Sequence, residues 1–164
     1  MLIEMKVHSV EIDPFSRVPI IMLKDLDKER TLPVWIGAQE ASSINAHLES
    51  KSSSRPMTHD IIKVMLEKLK AEVLRVELTD LKNNIYYASI HLSCGGETFK
   101  IDSRPSDAIA VALRADAKIM VEEKVIEKSM DIKVESFDES DLDSDELLEM
   151  LDELNVEDLG KYKM

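Results

Sequence analysis

The sequence contains a single cysteine, Cys94, in 164 residues, and it has no long hydrophobic run. A lone cysteine cannot form an intramolecular disulfide, and no charged start followed by an apolar stretch and a cleavage site opens the sequence. The longest apolar stretch, residues 108–113, has six residues, whereas a membrane-spanning helix needs about 20. We therefore expect a cytoplasmic protein without a membrane-spanning segment.

Aromatic residues and familiar catalytic motifs are also scarce. With three Phe, one Trp and three Tyr, the chain offers little surface on which the bases of a single strand could stack. It has no glycine-rich phosphate loop, no pair of cysteines for zinc and no His-Glu-x-x-His motif. Nothing near Cys94 in the sequence supplies a base that would activate its thiol. These absences argue against P-loop, zinc-finger and cysteine-nucleophile chemistry.

Basic charge is outnumbered mainly at one end of the chain. The formal net charge of the whole sequence is −12, which is unfavourable for a protein that binds phosphates through Lys and Arg. Residues 131–164 contain 13 acidic and 3 basic residues, a net charge of −10, so residues 1–130, with 20 acidic and 18 basic residues, carry only −2. A nearly neutral body with an acidic tail permits local basic patches. Nucleic acid therefore stays open as a partner.

Alternation of apolar and polar residues predicts two groups of three strands. The predicted strands are residues 1–11, 18–23, 31–36, 72–79, 85–93 and 97–101. Helices are predicted at residues 38–50, 59–69 and 108–113, followed by a short strand at 118–121 and a short helix or turn at 122–129. Because strands come in groups with helices between them, the class is α+β. We expect a mixed or antiparallel sheet built from two meanders with helices inserted between them, in a single compact domain over residues 1–135.

An acidic tail, residues 136–164, follows this domain. Residues 138–141 predict an extended linker, and Asp143 with Glu146 resembles the capping box of a last helix at residues 144–159. The apolar stripe of this helix consists of Leu147, Leu148, Leu151 and Leu154. Because such a stripe gains stability by packing, we expect it to bind its own domain, a neighbouring subunit or a protein partner. Alternatively, the acidic tail mimics nucleic acid by folding over a cationic groove.

Ionisable side chains occur where three of the predicted helices begin. Unpaired N–H groups and the positive end of the helix dipole favour anions at such positions. The residues are Glu40 in the first helix, Arg55, His59 and Asp60 in the second, and Asp102, Arg104, Ser106 and Asp107 around the third. Thr58 is the predicted N-cap of the second helix, because its hydroxyl can accept from a free backbone N–H. These three helix starts are the candidate site.

Each of these side chains has a structural explanation as well as a functional one. A carboxylate in a first turn stabilises a helix by about 0.3–1 kcal/mol without any further role. The arginines are more informative, because a cation beside a helix N-terminus requires an anion nearby, either a carboxylate of the chain or a bound phosphate. His59 is expected to be exposed at its helix end, which makes it the strongest candidate for proton transfer.

Three sequence blocks at these positions carry a specific resemblance. They are LPVWIG at residues 32–37 followed by Glu40-Ala41, RPMTHD at residues 55–60, and IDSRPSDAIA at residues 101–110. In this order and spacing they resemble the signature blocks of the bifunctional nuclease domain family, over about residues 1–135. The resemblance implies a compact α+β domain with a mixed sheet that associates as a homo-oligomer and cleaves both DNA and RNA.

Two functions are compatible with these residues. In the first, a nuclease, the catalytic residues are His59, Glu40 and Asp107, the substrate-binding residues are Arg55, Arg104 and Ser106, and Asp60, Asp102 and Asp107 bind a divalent metal, Mg²⁺ or Mn²⁺. This hypothesis requires the three helix starts to meet in space. In the second, a non-catalytic regulatory or protein-interaction module, the same charges are caps and ion pairs, and the acidic tail helix binds a partner or subunit.

Overall fold

Seven strands and four helices make up the described part of the chain. A computed structural model describes residues 1–27, 29–51 and 54–135. The strands are β1 (Leu2–Ile12), β2 (Pro19–Asp25), β3 (Thr31–Trp35), β4 (Ala71–Lys82), β5 (Ile85–Cys94), β6 (Glu97–Ser103) and β7 (Lys118–Glu122). The helices are α1 (Ala38–Leu48), α2 (Thr58–Lys68), α3 (Pro105–Ala115) and α4 (Glu123–Glu135). The predicted tail linker and tail helix lie outside the described residues.

All seven strands join one sheet in the order β3-β2-β1-β7-β4-β5-β6. β1, β2 and β3 form one antiparallel meander, and β4, β5 and β6 form the other. The short strand β7 connects them, because it pairs antiparallel with β1 and parallel with β4. The predicted α+β class, with a mixed sheet built from two meanders, is therefore confirmed.

The apolar core lies between the sheet and three of its helices. α3 contacts β4 and β5. α1 packs against α3 and contacts β1 and β2 of the first meander, whereas α2 packs against α3 and contacts β4 of the second. The alanines of α3 at positions 108, 110 and 112 are fully buried, as predicted for a helix that is apolar on all sides. Small side chains allow close approach of the neighbouring elements. This packing brings the first turns of α1, α2 and α3 to the same region.

Two predicted helix features need correction. Thr58 is the first residue of α2 rather than its N-cap; Met57 is the N-cap, and its backbone N–H donates to the Asp60 carboxylate over 2.8 Å. The start of α2 is therefore stabilised by the carboxylate of its third residue, which accepts from the N-cap backbone, and not by a threonine hydroxyl. α4 also continues to Glu135, beyond the short helix predicted at residues 122–129. None of the described helices is long and apolar enough to cross a membrane.

Candidate functional site

Four ionisable residues from the three helix starts form one connected group, called here the helix-start cluster: Glu40, His59, Arg104 and Asp107. Arg104 lies at its centre. Its Nε and Nη2 donate to the two carboxylate oxygens of Asp107, over 2.7 and 3.1 Å. The same Nη2 lies 2.9 Å from Glu40 Oε1, and His59 Nε2 lies 3.1 Å from Asp107 Oδ1. The predicted convergence of Glu40, His59 and Asp107 is therefore present.

Local helix chemistry places the arginine and its carboxylates. Arg104 is the N-cap of α3, Pro105 follows at the first helical position, and Asp107 stands in the first turn. Proline is favoured there because it needs no backbone partner for an N–H. Glu40 occupies the first turn of α1. The two carboxylates are stabilised by helix N-termini, and they supply the anions that a cation beside those termini requires.

His59 is buried, with only 8% of its surface exposed, so its predicted exposure is wrong. It lies on the side of α2 that packs toward α3, and both ring nitrogens have partners. Nδ1 lies 3.0 Å from Ser43 Oγ, while Nε2 faces Asp107. Ser43 Oγ already accepts from Arg114 over 3.1 Å, so its own hydrogen is available to Nδ1. With these partners, Ser43 Oγ can donate to Nδ1 while Nε2 donates to Asp107.

Arg114, a residue outside the predicted site, makes the main buried hydrogen bonds beneath the cluster. Its Nε donates to Asp60 Oδ1 over 2.6 Å, and its Nη2 donates to the carbonyl oxygen of Ser43 as well as to the hydroxyl. Its Nη1 donates to Ala110 O within α3. The sequence signal for this role was a single arginine in the otherwise apolar C-terminal half of α3, because a buried guanidinium requires several acceptors. Arg114 thus ties α3 to the other two helices.

The remaining predicted site residues stand apart from the cluster or serve it indirectly. Asp60 is held by Arg114 and by its own helix start. Ser106 is buried in the first turn of α3. Arg55 is exposed and makes no ion pair with another described residue. Asp102 is exposed on β6, opposite Ser89, and alternation along the strand points it away from the helix-bearing face.

The predicted metal site has no ready set of ligands in the described part of the chain. No group of three or more His, Cys, Asp and Glu side chains is arranged there to hold an ion. Asp60 and Asp107 accept from arginines, and Asp102 faces elsewhere. Carboxylate oxygens suit Mg²⁺ or Mn²⁺, but the carboxylates of Asp60 and Asp107 already form ion pairs with arginines. The divalent metal stays a prediction, and no chemical step below depends on it.

The ion pairs shift the pKa values of the cluster's charged groups. Burial raises the pKa of Asp107, but the hydrogen bonds from Arg104 and His59 outweigh this effect, and the net shift is downward. The hydrogen bond from Arg114 lowers the pKa of Asp60, with further help from the Met57 N–H. Asp107 in turn raises the pKa of Arg104. Arg104 and Asp107 therefore remain charged at neutral pH.

The cluster occupies an open surface rather than an enclosed pocket. A cavity of about 390 Å³ lies elsewhere, between β1, β7 and the C-terminal end of α3. Its lining includes the Lys118–Glu4 ion pair but no residue of the cluster. The Arg104 side chain is 66% exposed, and those of Asp107 and Glu40 are partly exposed beside it. An extended polymer could therefore reach these three side chains without entering a cavity.

Comparison with known proteins places the cluster inside a recognised domain. The family model described as bifunctional nuclease domain matches residues 21–134. An uncharacterized protein of Mycobacterium tuberculosis is 32% identical over 123 residues, which cover 75% of this chain and 73% of that protein.

Plant proteins show a more limited match. Bifunctional nuclease 1 of Arabidopsis thaliana is 32% identical over 107 residues, covering 63% of this chain and 33% of the relative. Bifunctional nuclease 1 of Oryza sativa subsp. japonica is 27% identical over 109 residues, covering 65% of this chain and 33% of the relative. The chain thus matches about a third of the length of these two nucleases. All four cluster residues fall within the range that the family model matches.

Proposed function

Because the chain belongs to the bifunctional nuclease domain family, we propose that it hydrolyses phosphodiester bonds of DNA or RNA at the helix-start cluster. The observation that carries this proposal is the exposed Arg104 held between Glu40 and Asp107. A fixed guanidinium beside partly exposed carboxylates combines a phosphate-binding group with groups that can accept a proton. The three helix starts supply these groups from separate parts of the chain.

Arg104 binds the phosphate in this proposal. Its Nε and Nη2 are fixed by carboxylates, whereas its Nη1 makes no hydrogen bond with another described residue. Nη1 therefore presents its N–H groups to a phosphate oxygen. The guanidinium stabilises the negative charge that builds on the phosphate oxygens when water attacks the phosphorus. Arg55, exposed before α2, is a second candidate for contact with the nucleic-acid backbone.

Glu40 and Asp107 have different roles in this scheme. Glu40 takes the proton from the attacking water, and the leaving oxygen of the broken ester takes up a proton from solvent. Asp107 holds the guanidinium in a bidentate contact and fixes its direction. His59 is a positioning residue, because its burial keeps it from the substrate while its Nε2 orients Asp107. His59 therefore acts indirectly in this scheme, rather than by the direct proton transfer predicted from the sequence.

A non-catalytic role for the same residues has one observation in its favour. Among the described residues, every buried side-chain nitrogen or oxygen has a hydrogen-bond partner within the protein. A purely structural network would likewise have all of its buried hydrogen-bonding groups paired within the protein. In that alternative the cluster fixes the positions of three helices, and the domain acts as a regulatory or interaction module. Cleavage assays separate the two functions.

The proposal predicts that the Arg104→Gln variant cleaves nucleic acid about 100-fold more slowly than the wild type, because the phosphate loses its charged donor. The assay uses end-labelled DNA and RNA oligonucleotides, single- and double-stranded, in Mg²⁺, in Mn²⁺ and in EDTA. Arg17→Gln is the matched control, since it removes the same charge from an exposed turn between β1 and β2. Its rate should equal that of the wild type.

Two outcomes of this assay would reject the proposal. One is a wild-type protein that cleaves none of the substrates under any of the three metal conditions, which would favour the interaction module. The other is an Arg104→Gln protein as active as the wild type, which would place the activity elsewhere. Activity that is lost in EDTA and restored by Mn²⁺ would support the predicted metal.

A further inference from the structure

The strand β6 forms one edge of the sheet and is unusually open. It is the last strand in the sheet order, and it pairs only with β5 among the described residues. Six of its seven residues are exposed, including Phe99 at 44% and Ile101 at 47%. It contains no proline, and its pairing with β5 shows no bulge. Proteins normally protect such an edge, because its free N–H and C=O groups can pair with another strand.

The apolar side chains of β6 lie on the helix-bearing face of the sheet. Ile101 is opposite Ile90 on β5, and Ile90 is opposite Val76, a fully buried core residue of β4. Residues directly opposite each other point to the same face. Phe99, two residues from Ile101, shares that face. The core side of the sheet therefore continues as far as its edge, where no other described residue covers it.

α2 adds further exposed apolar surface on this face. Its C-terminal end lies beside the end of β5, where Cys94 Sγ donates to the carbonyl oxygen of Leu69 over 3.5 Å. Its exposed apolar side chains include Ile61, Val64, Met65 and Leu69. An extended open edge beside an exposed apolar helix is typical of a protein interface.

The order of charges along β6 makes the strand complementary to itself. In an antiparallel pair of two β6 strands centred on Ile101, Lys100 of each copy stands opposite Asp102 of the partner subunit. Both pairs lie on the face away from the helices, while the two Ile101 side chains meet on the helix face. Centring on Lys100 would oppose two lysines, and centring on Phe99 would leave Lys100 opposite Thr98. Of these three registers, only the one centred on Ile101 forms two ion pairs.

We propose that β6 is a homodimer interface, in which two copies pair antiparallel about a two-fold axis through Ile101. The occupant is a second copy of this chain, because a two-fold interface requires a self-complementary surface. The two sheets then form one continuous sheet with both helix layers on the same side. Arg104 follows Ile101 by three residues, so the two helix-start clusters lie about 20 Å apart along the strand direction.

Charge reversal tests this register. Lys100→Asp and Asp102→Lys each turn two attractive pairs into two repulsive ones, and each should weaken dimerisation by about tenfold. The double variant carrying both changes restores opposite charges and should dimerise within about threefold of the wild type. Sedimentation equilibrium over a range of protein concentrations measures the dimer dissociation constant of each.

Disulfide trapping tests the position of the axis. In a Cys94→Ser background, which removes the chain's only cysteine, Ile101→Cys places two thiols opposite each other. Antiparallel partners have Cα atoms about 4.5–5.5 Å apart, within the range that a disulfide spans. Mild oxidation should therefore yield a covalent dimer. Ile12→Cys, at the far end of β1 and exposed to 60% against 47% for Ile101, is the control and should not cross-link.

A wild-type protein that is monomeric at all concentrations would overturn the proposal. A dimer whose dissociation constant is unchanged by both single charge reversals would overturn it too, because the chain would then associate through another surface. Equal cross-linking at positions 101 and 12 would have the same meaning. Recovery in the double charge variant, together with selective cross-linking at position 101, is the expected result.

Discussion

The Asp107→Asn variant is expected to cleave a labelled oligonucleotide at least about 100-fold more slowly than the wild type. Asp107 accepts two hydrogen bonds from Arg104 and one from His59. An asparagine of the same size keeps one acceptor oxygen and replaces the other by an N–H₂ donor. The guanidinium then loses its bidentate partner and the direction in which it meets the phosphate. Initial rates at saturating and limiting substrate measure the loss.

Asp116→Asn is the control for this substitution. Asp116 is the C-cap of the same helix, is exposed, and has a left-handed backbone conformation that asparagine tolerates. The change removes an identical charge from the other end of α3, so cleavage should stay at the wild-type rate. Equal rates for Asp107→Asn and the wild type would show that Asp107 takes no part in the reaction. Circular dichroism of all three proteins verifies that each is folded.

The Arg114→Leu variant is expected to lower the free energy of unfolding by about 2 kcal/mol or more. Arg114 is buried, and its guanidinium donates to Asp60, Ser43 and Ala110. Leucine fills similar space but leaves the Ser43 carbonyl and the Asp60 carboxylate without this donor. Removal of the guanidinium costs more than the net strength of its bonds, because the buried Ser43 oxygens stay desolvated without this donor. Urea denaturation, compared at constant m-value, measures the change.

Arg30→Leu provides the matched comparison for the stability measurement. Arg30 forms a partly exposed ion pair with Glu123 at 3.5 Å, and pairs of that kind contribute about 0–1 kcal/mol. The two variants therefore make the same chemical change in a buried and in a solvated setting. A loss below about 1 kcal/mol for Arg114→Leu would mean that the contacts beneath the cluster do not stabilise the fold.

Local patterns in the sequence predict most of the fold. The alternation in residues 1–11 and 72–79 predicts β1 and β4, because a half-buried strand needs a two-residue period. The alanine-rich run at 108–113 predicts the buried helix α3. The sheet order is not predictable in this way, since it depends on β7, whose five residues pair with strands more than 30 residues away. Such long-range pairing leaves no local pattern.

The sequence indicated which charged groups stand at the helix starts, but it predicted only part of the geometry that joins them. Helix dipoles and capping singled out Glu40, His59, Arg104 and Asp107 as helix-start residues, and the structure brings these four side chains together. The burial of His59 and the contacts of Arg114 arise from the packing of α1 and α2 on α3, which sequence spacing does not specify. The direction of Asp102 depended on the register of β6 against β5. Tertiary packing therefore decided which charged groups meet.

The central claim is that separate helix starts act as one catalytic unit, and a double-mutant cycle between Glu40→Gln and His59→Gln tests it most directly. These residues stand on different helices and are joined through Arg104 and Asp107. If they act as a unit, the double variant should cleave an oligonucleotide about as slowly as the slower single variant. Its rate should then be at least about tenfold higher than the rate expected if the two single losses multiplied. Losses that multiply independently would contradict the claim.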